Sequence, residues 1–145
     1  MAADRGRKLD LVNMELRVTT RGHFDFVDVT DQVNGHLKEV GAVDGAVLVF
    51  VKGTTASVIV NENEPGFRED LVKHWQALAP ITGDYQHNRN ANDGNAYAHI
   101  LATLVGSSLT LPIKDGMLNL GVWQRVLIVD FDERPRERQL VIQVL

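Results

Sequence analysis

The sequence predicts an α+β fold in which two packed sheets of mixed or antiparallel strands carry about three helices. Segments with the pattern of short strands outnumber the helical segments, and they follow one another without regular βαβ alternation. Hydrophobic residues make up 44% of the chain and charged residues 23%, which is typical of a soluble globular protein. A length of 145 residues suits one domain. We expect that domain over residues 9–145, after a polar, disordered tail over 1–8.

The N-terminal third predicts two strands and a helix. Apolar and polar residues alternate over 14–19, which is the period of a half-buried strand, and a second strand follows over 24–27. A helix is predicted over 31–40, with Thr30 as its N-cap and Gly41 at its end.

The middle of the chain predicts two strands, a helix and a long loop. The strands over 45–52 and 57–61 are apolar on both faces, so we expect both in central positions. The helix over 67–78 ends before Pro80. We interpret 81–92 as a loop. The predicted core face of the helix consists of Phe67, Leu71, Trp75 and Leu78.

The last third predicts a helix over 94–105 and then a run of strands. The predicted core face of this helix consists of Tyr97, Ile100, Leu101 and Leu104. The predicted strands cover 108–113, 117–120, 125–131 and 139–144. Trp123 is expected in the core, and Arg134, Arg136 and Arg138 are expected in a solvated turn.

Composition excludes several classes of function. The absence of cysteine excludes disulfides, thiolate metal sites and a cysteine nucleophile. A net charge of -4 without basic clusters argues against nucleic acid or an anionic membrane as a partner. The chain has no apolar run of the roughly 18 residues that a membrane helix needs, and no secretory signal. We therefore expect a cytoplasmic protein.

Polar residues that interrupt the predicted elements indicate three places for chemistry. These are the strand end Asn61-Glu62, the loop over 84–88 and the helix start over 93–99. Asn95 and His99 are four positions apart and share one helical face.

Tyr97 lies roughly 200° around the helix from His99, so we expect it in the core. His87 and His99 suit either a metal pair or an acid and a base, because imidazole titrates near neutral pH and binds borderline metals. Their spacing is equally compatible with an exposed helix residue and a loop residue bonded to backbone.

Gly53 precedes Thr54 and Thr55 between two predicted strands. Such a corner can offer backbone N–H groups and hydroxyls to an anion. A plain hairpin turn has the same sequence pattern, and the residues alone leave both interpretations open.

The motifs together resemble the YjbQ-like family, whose members are named secondary thiamine-phosphate synthases. The matching stretches are GAVLVFVKGTTASVIVNENE, DYQHN, DGNAYAHI, LVGSSLTLPIKDGMLNLGVWQ and FDERPRER, which fall within residues 43–138, about two-thirds of the chain. The resemblance implies an α+β fold with two packed sheets and a homotrimer around a threefold axis.

The resemblance also implies a site. The implied catalytic residues are Glu62, His87 and His99, and the same three are the implied ligands of a divalent metal, Zn²⁺ or Mg²⁺. The implied substrate-binding residues are Thr54, Thr55, Asn61 and Asn95, and Arg125 is added to them as a cation that could hold the diphosphate. The reaction joins a hydroxymethylpyrimidine diphosphate to a thiazole phosphate and releases pyrophosphate, so the implied partner is a small phosphorylated or anionic ligand. Asp84 or Asp93 could help hold Mg²⁺ through water, and Arg89 and Lys52 are further candidates for the diphosphate.

Three positions depart from the family pattern. Gly53 stands where the family has a histidine before the Thr-Thr pair, Tyr97 stands where many relatives have a second helix histidine, and Val122 replaces a threonine. Two histidines hold a metal poorly without another ligand, which Glu62 could supply. The sequence therefore leaves open an enzyme, a non-catalytic trimeric metal- or anion-binding protein with a degraded site, and a metal-dependent hydrolase.

Overall fold

The computed structural model describes residues 13–145, and within them the chain forms two antiparallel sheets and four helices, which confirms the predicted α+β class. The predicted tail over 1–8 lies outside the described residues. The strands are β1 (Asn13–Thr20), β2 (Asp25–Asp28), β3 (Gly45–Lys52), β4 (Ala56–Glu62), β5 (Ser108–Lys114), β6 (Met117–Leu118), β7 (Gln124–Asp130) and β8 (Arg136–Val144). The helices are α1 (Thr30–Glu39), α2 (Pro65–Leu78), α3 (Gln86–Ala91) and α4 (Ala96–Val105).

The two sheets have different sizes and share no strand. The larger sheet has five strands in the order β1-β8-β3-β5-β6, and the smaller has three in the order β2-β7-β4. Neighbouring strands are antiparallel throughout. Because β7 and β8 are consecutive but lie in different sheets, the segment between them crosses from one sheet to the other.

A first core fills the space between the sheets. The larger sheet contributes the alternating residues Val47, Val49 and Val51 of β3, all fully buried. The smaller sheet contributes Val58 and Ile128, and α1 adds Val33 and Leu37.

A second core lies on the other face of the smaller sheet, beneath α2 and α4. Tyr97 and Leu101 of α4 are fully buried there, and Trp75 of α2 packs edge-on against Phe131 with ring centroids 5.1 Å apart. Residues 13–145 are thus layered as large sheet, small sheet and helices, and no helix among them covers the outer face of the large sheet.

That outer face has an apolar centre. Leu48 and Val141 are half-buried on it, and Phe50, opposite Val141, remains 36% exposed. Polar groups surround this centre, including the ion pair between Lys52 and Glu15 at 3.0 Å.

The prediction that β4 is central is wrong, because β4 forms an edge of the smaller sheet. Its apolar pattern arises because one side faces the first core and the other faces α4, and neither requires a strand on both flanks. The Val58 N–H donates across the open edge to the Gly106 carbonyl at 3.4 Å, so the segment after α4 covers part of that edge.

The predicted loop over 81–92 contains α3, a helix of six residues whose polar composition hides any apolar period. Thr30 is not an N-cap but the first residue of α1, and its N–H donates to Asp28 Oδ1 at 3.0 Å. The chain begins α2 earlier than predicted because Glu64 accepts hydrogen bonds from the N–H groups of Gly66 and Phe67.

Several apolar residues expected in the core are exposed. The helix residues are Leu78, Ile100 and Leu104, which are 65%, 39% and 61% exposed. Trp123, in the turn before β7, is 73% exposed. The true core face of α4 is rotated towards small residues and consists of Tyr97, Ala98, Leu101 and Ala102. Within residues 13–145 no helix combines the length and hydropathy that a membrane span requires.

Candidate functional site

Two histidines meet where α3 packs beside the start of α4. The His87 and His99 rings lie edge to face, with centroids 4.5 Å apart and an angle of 68° between their planes. His87 is on the exposed side of α3, and His99 is half-buried. The Ala96 N–H at the start of α4 donates to Asn88 Oδ1 at 2.9 Å, which holds the two helices together. The structure therefore brings together the loop histidine and the helix histidine predicted from the sequence.

Asn95 adjoins this pair and is almost completely buried. Its Oδ1 lies 3.1 Å from His87 Nε2, and its Nδ2 donates to Asp132 Oδ1 at 3.5 Å. Asp93 also approaches His87, with 3.3 Å between Asp93 Oδ1 and His87 Nε2. His87 Nε2 thus faces two oxygen atoms.

A buried network of charged and hydroxyl groups contacts the site through the hydrogen bond between Asn95 and Asp132. Arg138 donates from Nε and one Nη to the two carboxylate oxygens of Asp130, each at 2.8 Å. The same Nη donates to Thr55 Oγ1 at 2.6 Å, and Thr55 in turn donates to Asp132 Oδ2 at 2.9 Å. The expectation that Arg138 lies in a solvated turn is wrong. β8 begins at Arg136, so Arg138 is a strand residue, and its side chain is buried against Asp130 at the end of β7.

Asp132 is the centre of this network. Its Oδ1 accepts from the Glu133 N–H at 2.7 Å, and its Oδ2 accepts from Arg136 at 3.0 Å as well as from Thr55. Burial alone would raise the pKa of Asp132, but these donors together hold that pKa below its ordinary value. Asp132 is therefore ionised at neutral pH.

A cleft of 310 Å³ opens beside His99. It is lined by Gly53, Thr54, Ala56, His99, Ala102, Thr103 and Ser107. The lining thus combines hydroxyl groups and one imidazole, and it includes no carboxylate. Thr55 does not line it, because its side chain is turned into the buried network.

Gly53 has a backbone conformation that a histidine would adopt only with strain. Its φ is +140°, and a Cβ at this position would come within 2.7 Å of Arg138 Nη1. The Arg138 guanidinium thus occupies the space that the Cβ of the histidine implied by the resemblance would need.

Asn61 and Glu62 lie at the opposite end of β4 from Thr55 and Ala56. Seven residues of extended strand separate Thr55 from Glu62, a span on the order of 20 Å. Both side chains are exposed, and Asn61 Oδ1 accepts from the Glu62 N–H at 2.8 Å. Glu62 therefore does not join the histidines within one chain.

His87, His99 and Glu62 do not form the metal site that the resemblance implies. Within residues 13–145 no three side chains of histidine, cysteine, aspartate or glutamate are arranged to hold a metal ion. His87 and His99 alone are too few for a divalent ion, which takes at least three protein ligands in a typical catalytic site.

The predicted cations for a diphosphate are engaged elsewhere. Arg125 donates to Asp28 at 2.7 Å and to Asp31 at 3.3 Å, beside Asn61 in the strand pairing. Burial would raise the pKa of Asp28, but Arg125 and Thr30 hold that pKa below its ordinary value. Arg89 pairs with Asp84.

A larger cleft of 570 Å³ lies between β2 and α2. Its charged residues have both signs, with Arg21, Arg68 and Lys73 on one hand and Asp25 and Glu69 on the other. None of the predicted site residues lines it, so the smaller cleft beside His99 is the better candidate.

Sequence reasoning missed Asp130, Asp132 and Arg138. Their signal is an acidic residue that ends an apolar strand, followed by arginines on the next strand. Such a pattern also fits an ordinary polar turn, and only the pairing of β1, β4, β7 and β8 brings the charges together.

Comparisons with known proteins agree on one family. The sequence model of the family described as "UPF0047 protein YjbQ-like" matches residues 14–145. A UPF0047 protein of Archaeoglobus fulgidus is 40% identical over 132 residues, which cover 91% of this chain and all of that protein.

Solved structures give the same result. A YbjQ-like protein of unknown function from Sulfolobus solfataricus P2 is 32% identical, with a TM-score of 0.85 over 91% of this chain and 94% of that one. A hypothetical protein from Aeropyrum pernix K1 is 39% identical, with a TM-score of 0.84 over 92% of this chain and 97% of that one. The chain therefore belongs to the YjbQ-like UPF0047 family.

Proposed function

We propose that this chain binds a small phosphorylated, or otherwise anionic, molecule in the cleft beside His99. The observation that carries the proposal is the lining of the cleft, which offers hydroxyl and imidazole groups to a ligand and no carboxylate. An anion in such a cleft gains hydrogen bonds and meets no like charge. The volume of 310 Å³ suits a small ligand.

The donors available to the ligand are few and specific. The Thr103 hydroxyl donates to the His99 carbonyl at 2.8 Å, so its proton is used within α4. Thr54, Ser107 and the His99 ring remain as side chains that can donate into the cleft. His87 does not line the cleft, but its ring lies against His99 and can add a donor to an anion when it is protonated on both nitrogens.

A finer proposal is that the histidine pair performs the transfer reaction of thiamine-phosphate synthesis. An imidazole pair can supply an acid and a base near neutral pH. Departure of a diphosphate also requires cations, and the arginines predicted for that role are paired with carboxylates. The cleft therefore supports anion binding more directly than it supports the transfer reaction. The proposed location is the cytoplasm, where phosphorylated metabolites are held.

Titration calorimetry tests the binding proposal, with inorganic phosphate, pyrophosphate and thiamine phosphate as probes. We expect at least one of them to bind the wild type. His99→Ala should weaken its affinity by about tenfold to a hundredfold, since one charge-assisted hydrogen bond is worth roughly 1.5–3 kcal/mol. Thr54→Val removes one hydroxyl at nearly constant shape and should weaken the same ligand.

The matched control is Thr82→Val, an exposed threonine before α3 that does not line the cleft. It should leave the affinity unchanged. Failure of all three probes to bind the wild type, or equal affinities for the wild type and His99→Ala, would overturn the proposal. An assay of thiamine phosphate formation from the two phosphorylated precursors tests the transfer reaction separately.

We further propose that the protein is a homotrimer in which a second copy covers the outer face of the five-stranded sheet. Leu48, Phe50 and Val141 give that face an apolar centre with a polar surround, which is the usual anatomy of a protein interface. β3, which carries two of them, is apolar on both faces, and the part of the chain that the structure describes covers only its inner face.

A further inference from the structure

A chain of hydrogen bonds decides which ring nitrogen of His87 carries the proton. It begins at Asp132, whose two oxygens receive hydrogen bonds from Glu133, Thr55 and Arg136. An ionised carboxylate can only accept hydrogen bonds. Any further neighbour of Asp132 must therefore present a donor to it.

Asn95 is that neighbour, and the requirement fixes the direction of its amide. The Nδ2 group faces Asp132 Oδ1 at 3.5 Å. The flipped amide would set its oxygen against a carboxylate oxygen and would lose the hydrogen bond. Asn95 Oδ1 consequently points the other way, to His87 Nε2 at 3.1 Å.

His87 must then donate from Nε2, because Asn95 offers it only an oxygen. Asp93 Oδ1 lies 3.3 Å from the same nitrogen and does not oppose this choice, but the aligned hydrogen bond is the one to Asn95. Asp93 Oδ1 is buried and makes no hydrogen bond of good geometry within residues 13–145. In neutral imidazole one nitrogen donates and the other accepts, so the lone pair of His87 is on Nδ1.

We propose that Asp132 is a positioning residue that acts through Asn95 to hold His87 as the Nε2–H tautomer, so that the Nδ1 lone pair of His87 can take a proton and donates to an anion only after it has done so. The use of that nitrogen rests on the proposed anion-binding function, whereas the tautomer itself does not. Asp132 does not line the cleft. Its effect on the site is thus the orientation of Asn95 and, through Asn95, of His87.

Long-range ¹H–¹⁵N correlation spectra of the ¹⁵N-labelled full chain test the proposal. They are recorded at a pH about two units above the ordinary histidine pKa of about 6.5. We expect the Nε2 of His87 to have the shift of a protonated nitrogen and the Nδ1 to have that of an unprotonated one, with assignment by the loss of these signals in His87→Gln. The opposite pair of shifts in the wild type would overturn the proposal without any variant.

Variants then separate Asp132 from Asp93. In Asn95→Ala and Asp132→Asn, both His87 shifts should move towards the average of the two tautomers, whereas Asp93→Ala should retain the wild-type shifts. If Asp93→Ala alone changes them, Asp93 is the orienting residue and the proposal is wrong. Unchanged shifts in Asn95→Ala would also overturn it, and that variant is available even if Asp132→Asn fails to fold.

Phosphate titration of the same samples distinguishes this inference from the proposed function. A wild type with the Nε2–H tautomer but no response to inorganic phosphate or pyrophosphate would contradict the binding proposal and leave the inference about Asp132 intact. Phosphate binding by a protein whose His87 has the proton on Nδ1 would do the reverse.

Discussion

Tyr97 carries a polar atom into the second core without compensation. Its side chain is fully buried, and its hydroxyl has no hydrogen-bond partner within residues 13–145. An unpaired buried hydroxyl costs roughly 1–3 kcal/mol of stability. We expect Tyr97→Phe to raise the free energy of unfolding by about 1 kcal/mol in urea denaturation.

Tyr85→Phe is the matched control. The Tyr85 hydroxyl donates to the Pro80 carbonyl at 2.7 Å, so this variant should lose about 1 kcal/mol instead. A loss of stability in Tyr97→Phe would show that the Tyr97 hydroxyl has a partner, such as a buried water.

Alkaline pH adds a second test at Tyr97. Burial, and then the charges of Glu133, Asp132 and Asp130, raise the pKa of Tyr97 from 10.0 to about 12. Above pH 10 the unfolded chain loses this proton before the folded chain does, so the wild type loses stability as the pH rises towards 12. The advantage of Tyr97→Phe should therefore grow over that range.

The variant Gly53→His tests whether a histidine at the position implied by the resemblance creates a metal site. We expect Gly53→His to destabilise the protein by roughly 1–3 kcal/mol, because φ at this residue is +140° and Arg138 Nη1 occupies the space for a Cβ. Zinc titration should give weak binding in the wild type and no stronger binding in the variant. Tight one-to-one zinc in the wild type, lost in His87→Ala or His99→Ala, would contradict the conclusion that one chain lacks a third ligand.

The sequence predicted those features of the site that depend on neighbouring residues in the chain, and it did not predict those that depend on the pairing of distant strands. Helical periodicity correctly separated Tyr97 from His99, and the two histidines do meet. Glu62 was grouped with them because the family motif includes it, but β4 carries it to the other end of the sheet. The Asp130–Arg138 network could not be predicted, because it includes Thr55, which lies 83 residues before Arg138 in the chain and reaches the network only through the pairing of β4 with β7.

At the scale of elements, α1 contains a glycine that lowers the stability of the helix although the structure has room for a larger side chain. Gly35 lies in the interior of this helix, and a Cβ there would meet nothing within 4 Å. Gly35→Ala should therefore raise the free energy of unfolding by about 0.5–1 kcal/mol, through the lower conformational entropy of the unfolded chain. Thermal and urea denaturation measure it, and a destabilised variant would contradict the conclusion that a Cβ is accommodated at Gly35.

The elements that the sequence predicted well have flanking breakers together with either a clear helical period, as in α2, or a continuous apolar run of strand length, as in β3. The errors share a physical cause. A strand that is apolar on both faces, like β4, can be covered by a helix instead of by neighbouring strands. Exposed apolar side chains such as Leu104 and Trp123 extend a hydrophobic pattern without joining the core of one chain. Short polar helices such as α3 depend on contacts with α4 that no local pattern reveals.

At the scale of the whole molecule, the exposed apolar residues bear on assembly. Light scattering at micromolar concentration should give about three times the chain mass of 16.1 kDa. Phe50→Glu places a charge at the apolar centre of the outer sheet face, and burying that charge between copies would cost several kcal/mol, so the variant should be monomeric with its fold intact.

Val122→Glu is the matched control, since Val122 is 93% exposed in the turn before β7 and lies off that face. A wild type that scatters as 16.1 kDa would exclude the trimer. A trimer that survives Phe50→Glu but is lost in Val122→Glu would move the interface to the turn before β7, because a charge prevents association only where association would remove it from water.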